Sequence, residues 1–91
     1  MHITIAAVGR MSSEPEKLLW EKYFCRIKWP LTLREVEEKK PLKKQQLLQR
    51  EYELLAKVVP HRALLVALDK SGSPSSSTDF AQLFQDWSTN N

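Results

Sequence analysis

Ile3-Thr4-Ile5-Ala6-Ala7-Val8-Gly9 heads the 91-residue chain and sets its architecture. Six small or β-branched residues without a charge favour an extended backbone that suits burial, and Gly9 marks the turn after it. Next to it, Ser13-Glu14-Pro15-Glu16 places a side-chain acceptor three residues before a carboxylate. Proline in a first helical turn loses no needed N–H, so this reads as a capping-box helix start. Leu19, Trp20, Tyr23, Phe24 and Ile27 recur at helical spacing and define one apolar face. Trp29-Pro30 is expected to end that helix, because the residue before proline disfavours the α region. The opening is therefore strand, turn, amphipathic helix.

The same alternation continues. Leu31-Thr32-Leu33-Arg34-Glu35-Val36 reads as a second strand, weakened by Glu35 and the glutamates that follow, Glu37 and Glu38. A lysine-rich linker, residues 39–44, leads to a helical pattern from Leu42 to about Val59. Leu48, Tyr52, Leu55 and Val59 form its stripe with Leu47, Leu54 and Val58 beside it, and Pro60 closes it. Ala63-Leu64-Leu65-Val66-Ala67-Leu68 has no polar alternation, as expected of a strand covered on both faces in a parallel sheet. Asp69 to Ser76 is a loop rich in Gly, Ser and Pro, and Ser76 caps a third helix with Asp79 three residues on. Phe80, Leu83, Phe84 and Trp87 give that helix its apolar face, and residues 88–91 form a polar tail expected to fray. The fold class is α/β, β-α-β-α-β-α, with a mainly parallel three-stranded sheet and right-handed crossovers. One domain spans residues 1–91. A sheet of this kind leaves an exposed edge, so the domain looks unfinished.

Apolar residues make up 42% and charged residues 27%, which is globular composition and argues against disorder. The apolar run at 63–68 is far short of the roughly 20 residues that span a bilayer. Met1-His2-Ile3 has no basic stretch ahead of an apolar core, so no secretory signal is read. Cys25 is the single cysteine, which leaves no internal disulfide and no metal-ligand spacing. A cytoplasmic protein is the simplest fit.

Charge is unevenly placed. Residues 1–44 hold ten Lys/Arg against six Glu, net +4, and residues 45–91 hold four against five acids, net −1. The excess sits at Lys28, Arg34 and the run Lys39-Lys40-Pro41-Leu42-Lys43-Lys44, whose lysines are the candidate RNA contacts, since a basic patch neutralises phosphates and releases counterions. A solvated lysine-rich loop is the plainer reading on charge alone. No catalytic residue is assigned. Cys25 has no activating partner, His2 and His61 make no metal site with it, and the two glycines, Gly9 and Gly72, rule out a Gly-rich phosphate loop. Trp29, beside Lys28, is a candidate stacking platform, with burial in a turn the plainer reading. Ligands of parallel sheets sit beyond the carboxyl ends of the strands, here Gly9-Arg10, the acidic end of the second strand, and Leu68-Asp69 with Gly72. Asp69 there is either a ligand contact or an aspartate that bonds its own loop backbone.

A more specific signal lies in the order of several segments. Ile3 through Gly9-Arg10-Met11, Glu21-Lys22-Tyr23-Phe24-Cys25-Arg26, Val36-Glu37, Gln49-Arg50-Glu51 with Leu54-Leu55, and Leu68-Asp69-Lys70-Ser71-Gly72 through Phe80-Ala81 cover nearly the whole chain. In that order they resemble the SPOUT-class ribosomal large-subunit RNA methyltransferase H family. The resemblance implies a cytoplasmic homodimer that transfers a methyl group from S-adenosylmethionine to N3 of a pseudouridine in large-subunit rRNA on assembled ribosomes. It implies an α/β domain whose C-terminal part is a trefoil knot that holds the cofactor and most of the dimer interface. Leu68 is the residue it implies as a cofactor contact, with its neighbour Asp69 a second candidate. The family's next strand, glycine-rich loop, knotted helix and basic tail do not follow Asn91. The expectation is a truncated SPOUT (α/β knot) domain lacking the knot, inactive and without bound cofactor as the isolated 91 residues. An RNA- or ribosome-binding module built on the basic first half is the alternative, and a chain completed by strand addition from a partner is a third reading.

Overall fold

The computed structural model describes residues 1–12 and 14–90. Strand β1 (Ile3–Val8) pairs in parallel with β2 (Leu31–Val36), residue for residue from Ile3 opposite Leu31 to Val8 opposite Val36. The ladder runs past both ends: Ile3 N donates to Pro30 O at 2.9 Å, and Gly9 N donates to Val36 O at 2.8 Å. Gly9 takes φ +100°, a left-handed conformation that a Cβ opposes, although a Cβ there would meet nothing within 4 Å. Its requirement is conformational and independent of space.

Helix α1 (Glu14–Phe24) forms the crossover between the strands. Glu14 and Glu16 in its first turn and Lys22 in its last suit the helix dipole. The expected Ser13 cap lies outside the described residues. The helix ends five residues short of Trp29. Arg26 N donates to Tyr23 O at 3.0 Å and Ile27 N to Phe24 O at 3.3 Å, the tighter i→i+3 pattern that closes a last turn. The chain then runs on to Pro30, whose carbonyl joins the ladder, so Ile27 falls outside α1 and off the stripe assigned to it.

Helix α2 (Lys44–Val58) lies against both strands. It starts later than the expected Leu42 because Leu42 N is held by Lys40 O at 2.8 Å in a turn. Val59, extended at ψ 123°, ends it before Pro60 as read from sequence.

The third strand is a correction. Among the described residues the sheet has two strands, and residues 63–68 have no ladder partner. Pro60 to Ala63 forms a tight turn, closed by Ala63 N donating to Pro60 O at 3.2 Å with Arg62 at φ 64°. The segment beyond it is open, with Leu65 71% and Leu68 82% exposed. A strand apolar on both faces needs cover on both, and only α3 (Ser77–Asn90) lies along this one.

The α3 cap matches the sequence reading: Asp79 N donates to Ser76 Oγ at 3.0 Å. Phe84 stands at the centre of an aromatic cluster, edge-on to Phe80 (centroids 4.9 Å apart) and to Trp87 (5.2 Å), and 6.3 Å from Trp29. This cluster joins α3 to the entrance of β2 and accounts for half-buried Trp29 as a packing residue. Residues 88–90 continue the helix, with Thr89 Oγ1 donating to Gln85 O at 3.0 Å. No described hydrophobic side chain is fully buried.

Candidate functional site

Residues beyond the carboxyl end of β1 are tied to the end of β2. Met11 N donates to Glu35 Oε2 at 2.8 Å, and Arg10 Nε lies 3.5 Å from Glu37 Oε2. Glu35 faces this turn because it is paired in register with Ala7, one residue from the end of β1. Together with Gly9 these contacts fix the 9–11 turn at the ligand-binding end of a parallel sheet. Sequence reading marked Gly9-Arg10 and the acidic end of β2 as separate ligand places but not as joined; their contacts span 24 or more residues, so no local pattern pointed to the clamp.

A second contact continues from it into the lysine-rich linker. Glu38 Oε2 accepts from Arg50 Nε at 2.7 Å, Arg50 Nη1 reaches Glu53 Oε2 at 3.3 Å, and Lys40 N donates to Glu38 Oε1 at 3.2 Å. The Arg50 guanidinium, and after it the Lys40 N–H, hold the Glu38 carboxyl below its ordinary range. Glu38, and after it Glu53, raise Arg50 in turn. The pair pins the linker to α2, so the chain around Lys39 and Lys40 has a fixed course.

Lys39, Lys40, Lys43 and Lys44 are all exposed, and none is ion-paired among the described residues. Lys43 is the α2 N-cap without a side-chain cap bond, and no acid occupies the first turn. Free helix N–H groups and the two lysines add at one end, which favours an anion. Lys43 and Lys44 stand at this helix start, and Lys39 and Lys40 precede it in the linker.

Leu68 and Asp69 stand apart from this. They follow the unpaired segment, and Leu68 lines an open cleft of about 430 Å³ between residues 66–68 and Phe80, Leu83 and Trp87 of α3. Asp69 Oδ1 accepts from Ser71 N at 3.2 Å, and Asp69 O accepts from Gly72 N at 3.0 Å. The carboxylate thus serves its own turn. A Cβ on Gly72 would approach Asp69 O to 3.2 Å, so the turn favours glycine. For a cofactor of the size of S-adenosylmethionine, these residues supply one apolar wall and no enclosure, and alone they do not fit it. Among the described residues no cluster of His, Cys, Asp and Glu could hold a metal ion, and no helix is long and apolar enough to cross a membrane.

A parallel strand pair with a helical crossover, a turn clamped at the carboxyl ends and a basic helix start define an α/β domain of the kind that places ligands beyond its strands. The chain belongs to the SPOUT methyltransferase family: the family described as "Predicted SPOUT methyltransferase" matches residues 1–91. Proteins named ribosomal RNA large subunit methyltransferase H are its relatives. That of Paramagnetospirillum magneticum is 46% identical over 87 residues, covering 96% of this chain and 57% of the relative. That of Rhodospirillum centenum is 42% identical over 87 residues with the same coverage, and that of Ruegeria sp. strain TM1040 is 36% identical over 95 residues, 96% of this chain and 58% of the relative. The chain thus spans somewhat over half the length of these relatives. No solved structure matches it.

Proposed function

We propose that these 91 residues are the N-terminal part of an S-adenosylmethionine-dependent methyltransferase acting on a pseudouridine of large-subunit rRNA, a cytoplasmic homodimer in its full form, and that alone they neither bind the cofactor nor transfer a methyl group. The observation that carries the reading is the open cleft at Leu68, set beside relatives named for rRNA methylation. Leu68 contributes one apolar wall to the cofactor pocket, and Asp69 shapes the turn behind it. In-line methyl transfer needs donor and acceptor held together at close range, and one wall cannot hold them. Calorimetric titration of the purified chain with S-adenosylmethionine tests this. No heat of binding is expected even at about millimolar ligand, whereas micromolar affinity would overturn the claim that the pocket is incomplete.

The exposed run of Lys39, Lys40, Lys43 and Lys44 leading into an acid-free helix start favours a second reading, an RNA-binding module that needs no methyl transfer. Replacing all four with alanine is expected to weaken rRNA-fragment binding and to flatten its salt dependence by close to four phosphate contacts. An unchanged salt slope would remove these lysines from the interface.

A further inference from the structure

At the opposite end of the strands lies a second cleft, of about 300 Å³, away from both Leu68 and the four linker lysines. Thr4 and Thr32 are register partners. Alternation along each strand then puts His2 on the face of Thr4, and Arg34 on the face of Thr32. The four residues form a block across the ladder, and all four line the cleft. Lys57 borders it from the last turn of α2, and Val58 to Pro60 supply the apolar remainder. His2 Nε2 and Thr32 Oγ1 share a hydrogen bond of 2.9 Å, which holds the imidazole over the strand pair.

The charge around this cleft is one-sided. No Asp or Glu lines it, and among the described residues neither Arg34, Lys57 nor His2 is ion-paired. Lys57 lies near the negative end of the α2 dipole, and Arg34 lines the cleft without an ion-pair partner among the described residues. A planar guanidinium with five donors, an ammonium and the Thr4 hydroxyl form a donor set for a tetrahedral oxyanion, and the His2–Thr32 pair, which spends one proton on its own hydrogen bond, borders it. A carboxylate offers two oxygens to these donors and a phosphate offers more.

We propose that His2, Thr4, Thr32, Arg34 and Lys57 form a phosphate-binding cleft at the amino end of the sheet, taking either a phosphodiester of an RNA backbone or a free phosphate. The site stands on its own side chains and does not depend on methyl transfer. Helix α2 separates it from the Lys43 helix start by about 22 Å at 1.5 Å per residue, so the two loci can be lost independently.

The test is an amide NMR titration of the full chain with inorganic phosphate, with chloride at matched ionic strength as reference. Saturable shifts at Thr4, Thr32 and Arg34 are expected, with a dissociation constant near ~1 mM. The double variant R34Q/K57Q should lose at least about tenfold in affinity, while K17Q, at an exposed position on α1, should titrate as the parent does. No saturable shift at about 10 mM phosphate, shifts reproduced by chloride, or an R34Q/K57Q variant that binds unchanged would each overturn the site. Because Arg34 and Lys57 are exposed, the variants should fold, which their unperturbed spectra outside the cleft would confirm. A short single-stranded oligoribonucleotide then separates the two sources: tighter binding that R34Q/K57Q abolishes assigns the cleft to an RNA backbone, and affinity no better than phosphate assigns it to the free anion.

Discussion

Glu38 stands where β2 has ended, with its side chain 11% exposed and both carboxylate oxygens engaged, one by Arg50 and one by the Lys40 N–H. A carboxylate this enclosed depends on its donors, because removing them leaves a charge that water reaches poorly. Arg50→Met should therefore destabilise the chain more than Glu38→Gln, which keeps the shape and loses the charge. The pH dependence follows from the lowered carboxyl pKa. A group whose folded pKa lies below its ordinary 4.5 contributes stability that is complete above that value and is lost as pH falls through the folded one. Urea midpoints of the parent should hold steady from neutrality down to that range and then decline toward those of Glu38→Gln. Parallel curves, with a constant gap at every pH, would show that Glu38 acts through packing alone. Added salt should narrow the gap only partly, since screening is weaker for a pair this little exposed.

Among the elements, α3 is the one whose stability rests on few contacts. At 14 residues it is marginal as an isolated helix, and what orders it is the Ser76 cap and the aromatic cluster around Phe84. Ser76→Ala should weaken the helix by about 1 kcal/mol. The loss should appear in far-UV circular dichroism and in faster amide exchange across residues 79–84, with β1 and β2 unaffected. Equal acceleration in the strands would mean that α3 and the sheet unfold as one unit. That cap was legible from sequence because a cap is local: Ser76 and Asp79 contain the whole instruction. The two strands and the existence of α2 were legible from local composition and a period near 3.6. The face of α2 was not: Leu48 and Tyr52 of the expected stripe are exposed, while Leu47, Leu54 and Val58 beside them are half-buried. Residues 63–68 were misread because a strand apolar on both faces is defined by neighbours that lie outside the segment. The end of α1 was misread by five residues because Pro30 limits where a helix must stop and leaves open how early it unwinds. At the candidate site, Asp69 followed its plainer reading as a turn aspartate. The Glu35 and Glu37 clamp on Met11 and Arg10 joins residues far apart in sequence, and no spacing rule points to it.

The whole chain exposes 8108 Å², against about 5,500 Å² for a compact monomer of its mass. Its radius of gyration is 15.1 Å, where about 12 Å is typical for this length. Large apolar side chains contribute to it: Leu18 and Leu19 on α1, Leu48 and Tyr52 on α2, and Leu64, Leu65 and Leu68 after it are all exposed. Such surface exceeds what soluble monomers carry singly, and without a fully buried hydrophobic side chain there is little to melt as one unit. The expectation for the dilute chain is a broad thermal transition, strong fluorescence of a bound naphthalene-sulfonate dye, and a scattering radius near 15 Å. A sharp calorimetric peak together with a radius near ~12 Å would show that the helices close onto the sheet and that the exposed faces are covered within one chain. A transition that sharpens and shifts upward as protein concentration rises would instead show that a second copy covers them, because burial between chains ties stability to concentration. The second outcome would place the apolar faces of α1 and residues 63–68 at a contact between chains, and dye binding should then fall in step with association.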